Sequence, residues 1–403
     1  MQKILIVNCV FSPEPVVSAQ MGESLAVAMS ELGSCVTVIV PYPSRPEGYA
    51  FDCGIPRSKK ILKFRAEKNL NCYYLPSYIY PKSNMIRRMI ESISFGYHSF
   101  KFIIKSHHEF DVVYMNTWPI FGQLGVAVAC LFRRVPYVVH IMDIYPESFI
   151  NKISNKVLKL LVKIFLLPID FTVLLFARKV IVISNNMKSY LIENRKLNEQ
   201  KLELVYTFQH QIGLVNELKE LTKNKKVFMY LGNIGPVAGL PFLLEAFSTL
   251  NAKLVIAGSG SHREYCIEFS MRFPYLDVEF IKVPEGDVAN IQSRADIMLL
   301  PLVKGSGFAS IPSKLSSYMF SKKPIIVLSE LNTDTAISVL EANCGWVTEY
   351  GNIEKFRNLL ISIIDEFDEC ELEQMGISGY NYAMERFTKH KNLEKLINVL
   401  RSI

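Results

Sequence analysis

The sequence lacks the cysteine spacings that a structural metal site or a redox pair requires. Its eight cysteines form no Cys-x-x-Cys pair and no metal knuckle, and Cys9, Cys35 and Cys130 lie within apolar runs. We therefore expect buried, reduced thiols in a cytosolic protein. The amino terminus also lacks the long apolar region and the small-residue cleavage site of a signal peptide, so residues 4–9 are predicted to form a first strand.

Two glycine signatures of common nucleotide-binding proteins are also missing. No segment has Gly-x-Gly-x-x-Gly followed by an acidic ribose partner, and none has the Gly-Lys-Ser/Thr ending of a phosphate loop. These absences argue against a dinucleotide oxidoreductase and a P-loop NTPase. Only 21% of the 403 residues are charged while 50% are hydrophobic, which excludes a disordered chain.

The charge excess is small and the chain is unusually apolar. Lys and Arg number 45 against 38 Asp and Glu, which gives a formal net charge of +7. This excess suits an anionic partner such as a nucleotide phosphate or a lipid headgroup, and it does not indicate nucleic acid. A mean hydropathy of +0.19, with 25 Phe and 19 Tyr, suggests contact with a membrane.

Short apolar runs alternate with helical stretches along nearly the whole chain. Continuous Val/Ile/Leu runs indicate strands buried on both faces, and βα repetition indicates parallel sheets. The fold class is therefore predicted as α/β, with two doubly wound, Rossmann-like domains facing a cleft. We expect domains over 1–205 and 206–375, followed by helices over 376–403 that pack back across the domains. The predicted strands are 4–9, 36–40, 111–115, 137–140 and 180–183 in the first domain, and 227–231, 254–257, 278–281, 297–300, 325–328 and 346–348 in the second.

Glycine-rich loops follow three predicted strands of the second domain, at 232–239, 257–261 and 304–307. In doubly wound sheets ligands bind beyond the carboxyl ends of the strands. Glycines there let backbone N–H groups approach an anion at a helix amino terminus. Three such loops in one domain predict a ligand that carries phosphate.

Several motifs at these strand ends together resemble glycosyltransferase family 4, and within it the bacterial branch that builds O-antigen, capsule and colanic-acid repeats on a lipid carrier. The most specific are Asp-x-x-Pro-Glu-Ser, starting at Asp143, and Pro-Ser-Lys-Leu, starting at Pro312. The other matching segments are Phe-Ser-Pro-Glu-Pro at 11–15, Gly-Asn-Ile-Gly at 232–235, Ala-Asp-Ile-Met-Leu-Leu-Pro-Leu at 295–302 and Lys-Pro-Ile-Ile at 323–326.

This resemblance implies the glycosyltransferase-B fold and a retaining hexosyl- or N-acetylhexosaminyl-transferase that uses a nucleotide sugar as substrate. It further implies a polyprenyl-diphosphate-linked saccharide as acceptor, no metal and no other cofactor. Without a metal, backbone amides, a helix dipole and basic side chains must neutralise the leaving diphosphate. The expected location is cytoplasmic, peripheral on the inner face of the plasma membrane.

Catalytic roles are predicted for Asp143, Lys314 and His140. Lys314 precedes a helix, where a lysine is unfavourable unless an anion is present; the alternative is a solvent-facing lysine. Asp143 follows a strand end, and the alternative is a helix N-cap. His140 is alternatively a satisfied core histidine. Donor-binding residues are predicted at Gly232, Asn233, Gly235, Gly258, Val283, Pro284, Gly305, Gly307, Ser313 and Ser317, and acceptor-binding residues at Ser12, Pro15, Ser18 and Asn116.

The sequence departs from the family pattern at five positions. Many relatives carry an Arg and a Lys where this chain has Asn233 and Ala238, and two glutamates where it has Ala309 and Ser317. A histidine of the acceptor domain is matched by Asn116. The usual ribose and sugar contacts therefore do not carry over. These departures leave two alternatives open: a nucleotide-sugar 2-epimerase of the same fold, and a non-catalytic family member that binds a partner transferase.

Two basic and apolar stretches, 82–105 and 152–176, predict an anionic membrane surface as partner. Lys152, Lys156, Lys159 and Lys163 recur at helical spacing among apolar residues, with no acidic residue before Asp170. Apolar area that inserts and lysines that reach headgroups are the properties of an interfacial helix. The alternative is a buried helix that covers the first sheet and has a solvated lysine stripe.

Overall fold

The computed structural model describes residues 1–44, 60–80, 85–106, 109–116, 120–150, 153–208, 225–284, 286–303 and 311–403. The chain divides into two compact units. The first comprises Met1–Gln209 together with Lys389–Ile403, and the second comprises His210–Thr388.

The first unit contains an eight-stranded sheet in the order β3-β4-β2-β1-β5-β6-β7-β8, parallel except for the antiparallel edge pair β3–β4. All five strands predicted in this unit are confirmed to within one or two residues. Three others were missed, because β3 and part of β4 are half-exposed and β8 has only three residues. The strands are β1 Lys3–Asn8, β2 Cys35–Pro41, β3 Leu62–Ala66, β4 Leu70–Leu75, β5 Val112–Asn116, β6 Tyr137–His140, β7 Lys179–Val182 and β8 Leu202–Leu204.

Helices cover both faces of this sheet. The helices are α1 Val17–Glu31, α2 Met85–Lys105, α3 Ile120–Arg133, α4 Glu147–Ile150, α5 Lys156–Phe176 and α6 Asn185–Arg195, and a 3-10 turn spans Glu199–Lys201. One apolar cluster joins the sheet to α2, α3, α5 and α6, and a second joins the other face to α1. A parallel sheet buried on both faces explains why β1 and β5 are continuous apolar runs.

The second unit contains six parallel strands in the order β11-β10-β9-β12-β13-β14. Every strand predicted for this unit is confirmed. The strands are β9 Val227–Leu231, β10 Lys253–Ala257, β11 Val278–Ile281, β12 Ile297–Pro301, β13 Ile325–Leu328 and β14 Gly345–Thr348. The helices are α7 Leu240–Phe247, α8 Arg263–Ser270, α9 Val288–Ser293, α10 Ser313–Phe320, α11 Asp334–Glu341, α12 Ile353–Glu366 and α13 Glu369–Arg386, and a 3-10 turn spans Pro236–Ala238.

The two last helices belong to different units, which differs from the single segment expected over 376–403. Helix α13 starts with a capping box between Asp368 and Glu371, and its Gly376 packs against the backbone of Lys322 in the second unit. The final helix, α14 Lys389–Arg401, buries Leu396 and Leu400 against the α1 side of the first sheet. The predicted class, two doubly wound parallel sheets, is confirmed.

The seven cysteines of the described residues form no disulfide, but not all of them are buried. Cys72, Cys130, Cys266 and Cys344 are buried, whereas Cys370 is exposed. Cys9 and Cys35 are half-buried although they lie within apolar runs, because each is at an end of a strand. Cys53 lies outside the described residues. Within the described ranges, no helix combines the length and apolarity needed to cross a membrane.

Candidate functional site

The second unit places its candidate ligand-binding residues where the strand order reverses, between β9 and β12. The connections from these two strands run to opposite sides, which opens a crevice at their carboxyl ends. The loop after β9 carries Gly232, Asn233 and Gly235, and α10 begins beyond β12 at Ser313. The predicted residues Gly305 and Gly307 lie outside the described residues.

Lys314 lies in the first turn of α10 and extends under the loop after β9. Its Nζ donates a hydrogen bond of 2.5 Å to the hydroxyl of Tyr230 and lies 4.2 Å from the centre of that ring. A Cβ built on Gly232 would be 2.2 Å from Cε of Lys314, so only glycine fits beside this side chain. Pro312, the N-cap of α10, provides no side-chain hydrogen bond to the helix. The helix start and the ammonium therefore present positive charge at the same place.

Lys314 is half-buried, and its ammonium has no compensating anion in the described part of the chain. No ion pair joins it to a described carboxylate, although such a pair is how buried charges are usually compensated. Burial lowers the pKa of Lys314 to about 8. A bound diphosphate would favour the charged form and raise this pKa again.

The backbone around Lys314 is held by two tyrosines. The hydroxyl of Tyr230 donates to the carbonyl of Asn233 at 2.7 Å. The hydroxyl of Tyr318, one turn after Lys314 in α10, donates to the carbonyl of Leu231 at 2.8 Å and accepts from its N–H at 3.0 Å. These bonds tie the β9 loop to α10, so the glycine loop and the ammonium keep a fixed relation.

The β10 loop packs directly against the β9 loop. A Cβ on Gly258 would lie 2.0 Å from the carbonyl oxygen of Gly232, and Gly258 has φ +136°. Asn233 is exposed beside Gly260. The structure therefore brings four predicted residues, Gly232, Asn233, Gly258 and Lys314, into one contact cluster.

The remaining predicted donor residues lie around this cluster. Ser313 directly precedes Lys314, and the hydroxyl of Ser317 accepts a hydrogen bond of 3.0 Å from the amide of Gln292. Val283 and Pro284 follow β11, whose partner strand β10 ends at Ala257, directly before Gly258, and Pro284 is exposed. Within the described residues, no hydrogen bond joins them to Lys314.

In the first unit the carboxyl ends of β1, β5 and β6 form a row of buried polar side chains. Asn8 and Asn116 are register partners on adjacent strands, and His140 ends the next strand. These three side chains are 1–2% exposed. Both amide atoms of Asn8, Nδ2 of Asn116 and Nε2 of His140 have no hydrogen-bond partner among the described residues. Uncharged donors and acceptors left open in this way suit hydroxyl groups or ordered water.

His140 is a neutral imidazole in this setting. Its Nδ1 lies 2.6 Å from the hydroxyl of Tyr114, and burial lowers its pKa to about 3. With the tyrosine donating to Nδ1, the open Nε2 carries the proton and is a hydrogen-bond donor. This arrangement fits a neutral hydrogen-bonding role for His140 better than an acid–base role near pH 7.

The loop after β1 carries Ser12 and Pro15 and leads into the first turn of α1, which carries Ser18, and this loop is held by a buried glutamate that was not predicted from the sequence. The carboxylate of Glu14 accepts from the N–H of Phe11 at 3.2 Å and from the N–H of Ser44 at 2.9 Å. Ser12 and Ser18 are half-buried and Pro15 is exposed. The fixed loop thus presents these residues beside the carboxyl end of β1.

Asp143 is exposed in the loop between β6 and α4, four residues before the helix starts at Glu147. The N-cap alternative therefore fails on position. Glu147 is not a capping partner of Asp143 either. Its carboxylate accepts from Arg195 at 2.9 and 2.8 Å and from the hydroxyl of Tyr190 at 2.7 Å. Burial opposes ionisation of Glu147, but the hydrogen bonds from Arg195 and Tyr190 outweigh it and lower its pKa.

Arg195 is the centre of a buried ionic network that fixes the Asp143 loop. Its guanidinium is 2% exposed and also donates to Asp170 in α5 at 2.6 Å and to the carbonyl of Tyr145 at 3.3 Å. The network thus joins α4, α5 and α6 to the Asp-x-x-Pro-Glu-Ser segment. The described residues contain no group of three His, Cys, Asp or Glu side chains that could hold a metal ion.

Three further residues of the candidate site were not predicted from the sequence: Tyr230, Asn8 and Arg195. Tyr230 is the penultimate residue of β9 and directly precedes the glycine loop, which is a detectable position. Asn8 is a polar residue ending an apolar strand, which is also a detectable signal. Arg195 gave no local signal, because its partners lie 25 and 48 residues away.

Comparison with known proteins gives consistent matches. The family model described as Glycosyltransferase Family 4 matches residues 22–208, and the one described as Glycosyl transferases group 1 matches residues 216–382. A probable glycosyltransferase, WbjE of Pseudomonas aeruginosa, is 22% identical over 352 residues, which cover 80% of this chain and 83% of WbjE.

Two solved structures share the fold. HepE of Anabaena in complex with UDP has a TM-score of 0.66 at 15% identity and covers all of both chains. WaaG, a glycosyltransferase involved in lipopolysaccharide biosynthesis, has a TM-score of 0.65 at 13% identity, with 98% of this chain and 99% of WaaG covered.

We predict that Arg195→Met destabilises the first unit by about 3–5 kcal/mol, because it leaves the buried carboxylate of Asp170 and the half-buried carboxylate of Glu147 without their cation. Urea unfolding followed by circular dichroism measures this. Lys188→Met is the control, since the Lys188 ion pair with Glu199 is at the surface and is expected to contribute less than about 1 kcal/mol. Equal midpoints for the two variants would contradict the prediction.

Proposed function

Because the chain belongs to glycosyltransferase family 4 and is a glycosyltransferase, we propose that it transfers a sugar, with retention at the anomeric carbon, from a nucleotide-sugar donor to a polyprenyl-diphosphate-linked saccharide. Its two parallel-sheet units have the glycosyltransferase-B architecture. The proposed setting is the synthesis of a bacterial surface polysaccharide such as O-antigen or capsule, and the involvement of the structural neighbour WaaG in lipopolysaccharide biosynthesis supports this setting.

The observation that carries the proposal is Lys314. It is a half-buried lysine at the amino terminus of α10, and among the described residues its ammonium is hydrogen-bonded only to a neutral hydroxyl. The leaving group of glycosyl transfer from a nucleotide sugar is a diphosphate, whose charge grows as the bond to the anomeric carbon breaks. An ammonium and uncapped helix amides at that point stabilise the developing charge without a metal. The complex of HepE with UDP supports a UDP-sugar as the first donor to test.

The first unit is proposed to bind the acceptor. Ser12 and Asp143 lie on the loops that follow β1 and β6, next to the uncharged row that includes Asn116 and His140, and Ser18 lies in the first turn of α1. Open amide and imidazole groups suit sugar hydroxyls, and a carboxylate at Asp143 is suited to accept the proton that the attacking hydroxyl loses. The acceptor oxygen then forms the new bond to the anomeric carbon on the same face from which the diphosphate leaves, so the configuration at that carbon is retained.

A membrane-facing surface of the first unit supports a lipid-linked acceptor. In the first half of α5, Val157, Leu160, Leu161 and Ile164 are each more than half exposed. The buried residues of α5 are confined to Leu166, Asp170, Val173 and Leu174, so the alternative of an ordinary covering helix accounts only for its second half.

Cations interleave with this apolar surface. Lys156 and Lys163 are exposed and Lys159 is half-exposed, whereas Asp170 is buried with Arg195. Helix α2 adds exposed Ile86, Ile90, Ile93 and Tyr97, which recur at helical spacing. Lys152 lies outside the described residues. We propose that the occupant of this surface is an anionic lipid bilayer, because apolar area beside unpaired positive charge matches its chemistry.

We predict that Lys314→Ala lowers turnover by two orders of magnitude or more, corresponding to about 2–4 kcal/mol of transition-state stabilisation. The assay incubates the purified protein with a panel of nucleotide sugars and membrane extract and detects transfer to lipid. Free epimer would indicate the 2-epimerase, and no reaction with any donor would indicate a non-catalytic protein.

A stability measurement on Lys314→Met separates a ligand-binding role from a structural one. In the folded chain the pKa of Lys314 is about 8 instead of 10.5, so the charged form costs stability at pH 7, and this cost disappears as the pH rises towards 10.5. Without ligand, the variant is expected to be more stable than the parent at pH 7 by about 1–2 kcal/mol and to lose this advantage near pH 10. A variant less stable at pH 7 would show that Lys314 serves the fold.

We predict that Asp143→Asn strongly reduces turnover and leaves the melting temperature unchanged. The amide keeps the shape but cannot accept the proton from the acceptor hydroxyl, and Asp143 does not cap α4. The expected loss is about 10²–10⁴-fold in kcat. Turnover equal to that of the parent would remove Asp143 from the proposed site, whereas a lowered melting temperature would assign it to the loop.

We predict that the parent floats with liposomes that contain anionic lipid and does so less at high salt. Changing Lys156, Lys159 and Lys163 to Glu is expected to abolish most of this binding, because each lysine near the surface contributes about 1 kcal/mol. The matched control changes exposed Lys68, Lys391 and Lys395, which lie away from α5, to Glu. A parent that stays at the bottom of the gradient with every lipid mixture would refute the membrane-facing surface.

A further inference from the structure

The first unit has an open cavity of about 1020 Å³ at the amino ends of β6, β7 and β8. Asp143 and the uncharged row lie at the opposite, carboxyl edge of the same sheet. A ligand in this cavity is therefore remote from the sugar-transfer groups of this unit. Four cationic residues line it: Arg134, Arg178, Lys179 and Lys201.

The charge in the cavity is largely uncompensated. Arg134 and Arg178 are exposed, and their guanidinium groups make no hydrogen bond or ion pair with any described residue. Lys179 pairs with Glu203 at 2.7 Å. Lys201 donates to the carbonyl of Leu175 at the end of α5, and burial lowers its pKa. Two fork-shaped guanidinium groups with free donors are the groups that bind phosphate in a bidentate manner.

The rim of the cavity is apolar. Leu131 and Phe176 line it and are 46% and 55% exposed, and Phe132 beside them is 74% exposed. They lie at the carboxyl ends of α3 and α5, and α5 also carries the membrane-facing surface described above. A nucleic acid or a free anion would gain nothing from three exposed apolar side chains beside the cations, whereas an amphiphile uses both.

We propose that this cavity binds the phosphate headgroup of an anionic phospholipid, with the phosphate between Arg134 and Arg178 and the acyl chains along Leu131, Phe132 and Phe176. The bound lipid is an anchor and not a substrate, because the cavity is at the edge of the sheet opposite to Asp143. The inference extends the proposed membrane docking but depends on different side chains from the lysines of α5.

The test is flotation of the full chain with vesicles of phosphatidylcholine alone or mixed with phosphatidylglycerol. The double variant Arg134→Gln/Arg178→Gln is expected to bind the mixed vesicles about twentyfold more weakly than the parent. The matched control is Lys63→Gln/Lys68→Gln, which removes the same charge at β3 and the adjoining turn, the far edge of the sheet, and is expected to bind like the parent. Equal binding by the two double variants would overturn the proposal.

A second arm identifies the source of the phosphate. Inorganic phosphate is titrated into the parent and the Arg134/Arg178 variant, and the melting temperature is followed. No difference between the two proteins, together with the vesicle result above, supports the lipid headgroup. If inorganic phosphate raises the melting temperature of the parent alone, and the variant binds vesicles as the parent does, the cavity binds a soluble phosphate and the lipid anchor is overturned.

Donor binding keeps this proposal distinguishable from the proposed function. The Arg134/Arg178 variant is expected to bind UDP as the parent does, because the donor residues belong to the second unit. If vesicle binding by the parent depends on Arg134 and Arg178 but the parent transfers no sugar, the transferase assignment is refuted and the lipid anchor stands. If the parent transfers sugar and the variant floats as the parent does, the lipid anchor is overturned and the transferase assignment stands.

Discussion

The half-buried ammonium of Lys314, which has no carboxylate partner among the described residues, accounts for the local structure of the β9 loop and the start of α10. The side chain of Lys314 fits under the β9 loop only because Gly232 has no side chain. The backbone of Gly232 in turn packs against the β10 loop only because Gly258 lacks a side chain. Tyr230 and Tyr318 then hold the loop and the helix at this separation through their hydroxyl groups. These features cost folding stability or restrict which residues fit at these positions. A bound anion would compensate for that cost by pairing with the ammonium.

The first unit differs from the second, because the buried polar groups at the ends of its strands carry no charge. Asn8, Asn116 and His140 leave four buried polar atoms without a described partner, and all three side chains are uncharged. Of the nearby carboxylates, Glu14 holds the β1 loop and Glu147 is bound to Arg195, whereas Asp143 is exposed. A diphosphate gains little from such a row, whereas the hydroxyl groups of a saccharide match it. The chemistry of each unit thus favours a different part of the reaction.

The fold was predictable from the sequence where burial on both faces makes strands uniformly apolar. All six strands of the second unit and five of the first followed from this pattern, because no polar residue interrupts runs such as β6. Strand β3 escaped because it alternates apolar and charged residues at an exposed edge. The grouping of α13 and α14 with different units was also hidden, since it depends on contacts such as that of Asn392 with the N–H of Tyr206, 186 residues away in the sequence.

The candidate site was predictable to the extent that its residues are local to a motif. Lys314 stands in Pro-Ser-Lys-Leu and Asp143 in Asp-x-x-Pro-Glu-Ser, so the sequence identifies both. The environment that gives them a role is non-local, since the Lys314 partner Tyr230 is 84 residues away and Arg195 lies in another helix. The proposed membrane-facing surface shows the same limit. Apolar and basic residues in 156–165 are visible in the sequence, but only the structure shows that the buried residues of α5 all lie in its second half, so the apolar residues of the first half are left exposed.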